Sequence, residues 1–373
     1  MTARPMKVVV LGLSLSSSWG NGHATTYRAL LKALAARGHE VTFLECDVPW
    51  YSGKHRDLAD PDWCRLLFYK ELADLNGHRE LIATADAVIV GSYVPDGVAI
   101  GRLVQDWARG VTAFYDIDTP VTLAKLARGD TEYVSPELIP GYDVYLSFTG
   151  GPTLDLIERR YGSPAARALY CSVDPTAYPA LGFEKRWDLS YLGTYSPDRQ
   201  PVLERLLIEP ARRLPHLRFV VAGPQYPDDI AWPANVERFQ HVGPVDHPEF
   251  YACSRYTLNV TRADMVAAGW SPSVRLFEAA SCATPVISDV WSGIEDVLTP
   301  GEEILLATGS DEVVAILSDP DERKPAAIGQ ASRARILAAH TADCRAAELE
   351  DYLTEAAARG NATQPAHRAA IAV

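Results

Sequence analysis

This sequence predicts an α/β protein made of two successive doubly wound halves, each built on a parallel sheet. Short Val/Ile/Leu runs alternate with helical stretches, the pattern of strands buried on both faces. The alternation stops over 171–188 and then starts again. A length of 373 residues is also about two domains, at roughly 100–200 residues each.

In the first half the strand-like runs are 7–13, 40–45, 87–92, 111–117, 143–148 and 166–171, with helical candidates at 24–37, 97–109, 119–128 and 151–161. Strands separated by helices imply βαβ units and parallel pairing. Pro175, Pro179 and Gly182 break the pattern, which places a linker at 173–187. Strand signals return at 189–194, 218–223, 236–243, 256–261, 284–289 and 302–307, and the chain is helical after 308. The expected organisation is a first domain over 1–172 and a second over 188–340. A C-terminal helix and tail over 341–373 follow, able to pack back on the first domain, and the last residues, from Gly360, read as frayed.

Acidic residues outnumber basic ones, 48 to 35, for a formal charge of −13. That excludes a dedicated nucleic-acid binder, which needs a basic face. The six cysteines show no metal spacing and read as reduced thiols of a cytoplasmic protein. No apolar run approaches the ~18 residues of a membrane span. The opening MTARPMKVVVLGL reads as a first strand rather than a leader.

Doubly wound folds bind ligands beyond the carboxyl ends of their strands, so the residues there are the candidates. After the first strand comes Ser14 to His23, with Gly20, Asn21 and Gly22 opening a helix. Nine polar or small residues exceed what a turn needs, and the loop can approach a ligand closely. No dinucleotide fingerprint is present. His23 suits a base that removes a proton from an acceptor hydroxyl near neutral pH. Asp116 and Asp118 follow a later strand. Alternation puts them on one side, where either can orient His23; the alternative is that His23 caps its helix and Asp118 or Thr119 caps the next, with Pro120 in its first turn. Asp143 and Thr149–Pro152 follow the same logic more weakly.

The strongest segment is Trp270–Ser288. Ser271 suits an N-cap and Pro272 a first helical residue. The helix N-terminus would then present exposed amides to a diphosphate, and Arg275, in the first turn, would add a charged fork. Glu278, one turn on, can accept from two vicinal hydroxyls, as on a ribose; the alternative is a solvated Arg275–Glu278 pair. Arg199 and Arg262 also stand at strand ends, where they can converge with Arg275 on one anion.

The run SPSVRLFEAASCATPVISDVWSGIEDVLTPGEEI, the N-terminal GLSLSSSWGNGHATTYRALLKALAARGHEVTFLE and the central YDIDTP resemble glycosyltransferases of the GT-B fold. More narrowly they are similar to the spore-maturation (CgeB-like) bacterial family. The resemblance covers nearly the whole chain. It implies two Rossmann-like domains facing across a cleft, with a nucleotide-sugar donor held by the C-terminal half. Glu278 would hold the ribose, and Ser273, Val274, Arg199, Arg275 and Arg262 the diphosphate. Gly223-Pro224 and Gly243-Pro244-Val245 would line the base pocket, and Tyr195 is a further donor-binding candidate. His23 matches the base of inverting members, with Asp118 or Asp116 as its helper. Many retaining members carry two Glu separated by seven residues; here the first of those positions is Trp270.

The implied activity is a metal-independent, hexosyltransferase-type transfer, inverting by preference. It needs no cofactor beyond the co-substrate, a UDP-sugar first among the candidates, and the acceptor is a small molecule, glycan or protein. Two alternatives are a nucleotide-sugar 2-epimerase of the same fold and a non-catalytic nucleotide-sugar binder.

Overall fold

The computed structural model describes residues 4–19, 22–49, 51 and 55–369, with side chains to residue 360. The chain divides into two units: Met1–Tyr170 with Ala342–Val373, and Cys171–Thr341.

The first unit runs β1 (Lys7–Gly12), α1 (Gly22–Ala36), β2 (Glu40–Cys46), β3 (Arg65–Tyr69), α2 (Arg79–Thr84), β4 (Ala87–Gly91), α3 (Gly97–Trp107), β5 (Val111–Asp116), α4 (Thr119–Ala127), β6 (Val144–Ser147), α5 (Pro152–Tyr161) and β7 (Ala166–Ala168). The seven strands are parallel, in the order β3-β2-β1-β4-β5-β6-β7. The central strands are buried along almost their whole length, as their unbroken apolar runs require. Strand β3 was not anticipated. It is an edge strand with only Tyr69 fully buried, and a half-exposed edge gives neither a continuous apolar run nor clean alternation.

The second unit runs β8 (Trp187–Leu192), α6 (Gln200–Leu203), α7 (Glu209–Arg213), β9 (Phe219–Ala222), β10 (Val236–Phe239), α8 (His247–Ala252), β11 (Ser254–Asn259), α9 (Ala263–Ala268), α10 (Val274–Ser281), β12 (Val286–Ser288), β13 (Leu305–Leu306), α11 (Ser310–Leu317) and α12 (Arg323–Ala339). One π turn, Glu204–Ile208, joins α6 to α7. The six strands are parallel, in the order β10-β9-β8-β11-β12-β13. In each sheet the strand order reverses at one point, between β1 and β4 and between β8 and β11. Ligand crevices of doubly wound folds open there.

The last helix, α13 (Ala342–Ala369), belongs to the first unit and packs against α1, β5 and β6. The segment from Gly360, read as frayed, continues this helix to Ala369. Its Ala-rich composition favours helix more than its Gly and Pro suggested; residues 370–373 lie outside the described ones. One buried carboxylate ties α13 down. Glu350 accepts from Arg37 Nε (2.5 Å) and Nη2 (2.8 Å) and from His39 Nε2 (2.6 Å). His39 Nδ1 accepts from the Met6 amide, which leaves the ring proton on Nε2 for Glu350.

Arg37 holds the Glu350 carboxyl below its ordinary value of 4.5, against the opposing effect of burial. A carboxyl depressed in the folded state contributes stability above that value and loses it as the pH falls below it. Glu350→Ala is expected to cost roughly 2–4 kcal/mol at pH 7 by urea denaturation, because it leaves the buried His39 without its acceptor and Arg37 with only the exposed Asp343. The difference between variant and wild type should shrink below pH 4.5; a difference independent of pH would refute this account.

Candidate functional site

The loop after β1 is fixed by a carboxylate on β2. Glu45, fully buried, accepts from the amides of Leu15 (2.7 Å) and Ser16 (2.9 Å) and from the hydroxyls of Ser14 (3.1 Å) and Ser16 (2.6 Å). Asp57 takes the Ser18 amide and hydroxyl and pairs with Arg28. The serines that suggested a ligand loop therefore face inward: Ser14, Ser16 and Ser17 are buried. Their number reflects a buried charge that must be saturated with donors. The sequence carried one signal for Glu45, a carboxylate at the end of the apolar run VTFLE. Gly20 and Asn21 lie outside the described residues. Gly22 is the exposed first residue of α1.

His23 follows Gly22 and is half-buried. Burial pushes its imidazole below the usual 6.5, and the Asp118 charge pulls it partly back. Asp116 and Asp118 do not act alike, contrary to the alternation argument, because β5 ends at Asp116 and the chain turns there. Asp116 is fully buried, with both oxygens engaged: Tyr145 donates to one, Thr122 (2.8 Å) and the Asp118 amide (3.2 Å) to the other. Burial raises its carboxyl to about 6. Asp116 thus holds the start of α4, while Asp118, half-buried at the N-cap position, interacts with His23. Asp143 lies at the opposite, amino end of β6, where it accepts from the Thr112 amide at 2.8 Å. Gly150 is required by packing, since a Cβ there would meet the Tyr170 hydroxyl at 2.1 Å.

In the second unit Arg275 bridges the strand-order reversal. Its Nε donates to Leu192 O at the end of β8 (2.6 Å) and its Nη1 to Asn259 Oδ1 at the end of β11 (2.9 Å). The guanidinium lies over the Tyr191 ring at 5.0 Å and is buried. It is not paired with Glu278 on a solvated face; the two buried residues have separate partners. Around the loop after β8, Arg199 donates to Thr194 O (2.8 Å), and Arg262 lies 3.9 Å from Asp198. Arg199 and Arg262 both act on Asp198, and Arg199, Arg238 and Arg275 all act on Tyr226. Tyr226 in turn meets Tyr195 edge-on at 5.5 Å and donates to Gly193 O. Arg238, which sits over Trp232 (4.0 Å) and Tyr226 (4.3 Å), gave no sequence signal. Gly223 has φ +151°, and a Cβ there would lie 2.0 Å from Gly193 O. It therefore serves the close approach of the loops after β8 and β9.

The start of α10 lies two residues later than expected. Ser273, not Ser271, is the N-cap, accepting from the Arg275 amide, and Val274 is the first helical residue. Ser271 and Pro272 are buried before it and extend the loop inward. Ser273 and Val274 remain half-exposed, so the helix start is accessible. Glu278 is buried, accepting from Tyr178 (2.9 Å) and Tyr251 (3.4 Å), with His247 Nδ1 at 3.7 Å. A carboxylate has about four acceptor positions, so these two hydroxyls leave room for further donors. Tyr178 and His247 were not anticipated; they come from the linker and from α8, distant in sequence. Val245, in the turn before α8, is 87 % exposed. Trp270 has φ +43° and donates to Asp296 at 2.7 Å.

Among the described residues no group of three or more His, Cys, Asp or Glu is arranged to hold a metal ion, and no helix is long and apolar enough to cross a membrane.

Residues 199–351 match the family model described as glycosyl transferase-like, a segment that contains Arg199, all of α10 and Glu278. No curated protein matches the chain in sequence. Among solved structures the chain is similar to sucrose-phosphate synthase from Thermosynechococcus elongatus, at 14 % identity and TM-score 0.68, over 94 % of this chain and 98 % of that one. It is similar to Anabaena Alr3699/HepE in complex with UDP and glucose, at 13 % identity and TM-score 0.67, over 94 % and 99 %. It is also similar to an α,α-trehalose 6-phosphate synthase from Burkholderia multivorans, at 12 % identity and TM-score 0.63, over 96 % and 100 %. The fold is therefore GT-B, two Rossmann-like parallel-sheet units, as the sequence led one to expect.

Glu45→Ala should leave two buried amides and the Ser16 hydroxyl without an acceptor, while Ser14 keeps the Ser17 carbonyl. At about 1–3 kcal/mol for each buried group left unsatisfied, a loss of at least 3 kcal/mol in urea denaturation is expected. A loss under 1 kcal/mol would show that the loop does not depend on Glu45.

Proposed function

We propose that this protein is a glycosyltransferase that moves a sugar from a nucleoside diphosphate sugar to an acceptor hydroxyl. The observation that carries the reading is the match over 199–351, which coincides with the accessible start of α10 and the buried carboxylate one turn behind it. Within that class, the finer reading is a spore-maturation-type hexosyltransferase using a UDP-sugar.

In this reading the second unit holds the donor. Glu278 accepts from the ribose hydroxyls through its remaining acceptor positions. Ser273 and Val274 offer the helix start to the diphosphate, and Arg199 and Arg262 are its counter-charges. Arg275 contributes mainly by fixing the ends of β8 and β11, since two of its nitrogens are already engaged. Val245, an exposed residue, and the ring of Tyr195 border the donor. The first unit carries the acceptor. His23 takes the acceptor's hydroxyl proton, the freed oxygen attacks the anomeric carbon, and the bond from that carbon to the diphosphate oxygen breaks. The configuration inverts, and the nucleoside diphosphate leaves with the electron pair. Asp118 stabilises the imidazolium that results. The cations beside the diphosphate take up the leaving charge, so the chemistry needs no metal ion.

Thermal-shift measurements with UDP, GDP, dTDP, ADP and CMP test the donor site. One nucleoside diphosphate should stabilise the protein selectively. Glu278→Gln should weaken its binding roughly 10- to 100-fold, the scale of one or two charged hydrogen bonds. No stabilisation by any of the five would overturn the donor assignment. For the chemistry, His23→Ala should leave nucleotide binding intact and lower turnover by about 10²-fold or more. Turnover should persist in EDTA; activity abolished by EDTA and restored by Mg²⁺ or Mn²⁺ would refute metal independence.

A further inference from the structure

Tyr93 is the first residue but one after β4, at the strand-order reversal of the first sheet. Its backbone has φ +63°, and Asp96, three residues on, has φ +55°. A left-handed conformation is strained for a residue with a side chain. Val94, between them, is buried and anchors the turn.

That conformation brings the Tyr93 side chain against both members of the proposed base pair. Its ring meets the His23 imidazole edge-on, with centroids 5.3 Å apart. Its hydroxyl donates to Asp118 Oδ2 at 3.1 Å. The other side of the ring lies against Tyr133 at 4.6 Å, and Lys125 Nζ lies over both rings, at 5.3 and 5.2 Å. Lys125 is paired with Glu132. Tyr133 is itself held: Thr122 gives its one hydroxyl proton to Asp116, so the Tyr133 hydroxyl donates to Thr122 Oγ1 at 2.8 Å. The charged and titratable groups facing Tyr93 are therefore His23, Asp118, Tyr133 and Lys125, on the start of α1, the start of α4, the loop after α4 and α4 itself.

We propose that Tyr93 is the positioning residue of the His23–Asp118 pair, its hydroxyl fixing the Asp118 carboxylate and its ring edge fixing the plane of the imidazole. The role in turnover rests on the reading of His23 as the base; the positioning itself does not. Packing alone would not require its hydroxyl to be given to the carboxylate that, among the described residues, acts on His23.

The test follows the His23 imidazole by NMR against pH, its resonance assigned by its loss in His23→Gln. Wild type, Tyr93→Phe, Asp118→Asn and the double variant are compared, with melting temperatures as a check on folding. Asp118 raises the His23 midpoint in the wild type, so loosening Asp118 must lower it. Tyr93→Phe is expected to lower the midpoint by about half a pH unit, a fraction of what a nearby opposite charge supplies. Asp118→Asn should lower it further, and the double variant no further than Asp118→Asn alone. In turnover, Tyr93→Phe should reduce kcat about 10-fold with the donor KM within twofold, and should have no effect in the Asp118→Asn background. A midpoint unmoved by Tyr93→Phe, or a double variant below Asp118→Asn, would overturn the proposal. The expected midpoints together with near-normal turnover of His23→Ala would uphold the positioning and overturn only His23's role as base.

Discussion

Arg275 lies where the second sheet turns from one winding direction to the other. Strands β8 and β11 are neighbours, but their following loops leave in opposite directions, so the backbone groups at their ends lack a shared partner. A single guanidinium reaches both, and the Tyr191 face lies against it. Its cost is the desolvation of a cation, offset only because its donors find the Leu192 carbonyl and the Asn259 side chain. Its Nη1 also donates to the Ser273 hydroxyl that caps α10, so the same side chain ties the helix start to both strand ends.

The first unit solves the corresponding problem with the opposite charge. Glu45, buried beside β1, draws two amides and two hydroxyls onto itself and so fixes the loop that leads to His23. Asp116, buried at the end of β5, does the same for the start of α4. In the first unit two buried carboxylates, Glu45 and Asp116, fix loops behind the more accessible His23 and Asp118; in the second, Arg275 and Glu278 are both buried, and the accessible groups are Ser273 and Val274 at the start of α10. Deleting an anchor removes the acceptor or donor of several buried groups at once, whereas deleting an accessible residue removes only its own interaction. Stability and activity measurements should therefore separate the two classes.

The central strands were the most legible, because they are buried on both faces and their apolar runs are continuous. The edge strands β7, β10 and β13 were found through their place in the strand–helix alternation, whereas β3, also at an edge, is half-exposed and follows β2 with no α-helix between them among the described residues. The start of α10 was displaced by two residues because Ser271 and Ser273 are equally good caps in isolation; the burial of Ser271 and Pro272 decided between them. The Ser-rich loop after β1 was read as ligand-facing because a hydroxyl's partner is invisible in one dimension. Tyr178 and His247 beside Glu278, and Tyr93 beside Asp118, come from segments 25 to 100 residues away, and no local spacing marks them.

By itself the sequence determined the two parallel sheets and the residue types found at the carboxyl ends of the strands. These depend on burial periodicity and on short-range turn chemistry, which are written in consecutive residues. Only the tertiary structure decided which of those residues are anchors and which are accessible. That depends on which side chain meets which charge across the sheet, and a buried carboxylate or guanidinium takes as its partners the donors and acceptors that folding brings within about 3 Å, wherever they lie in the chain.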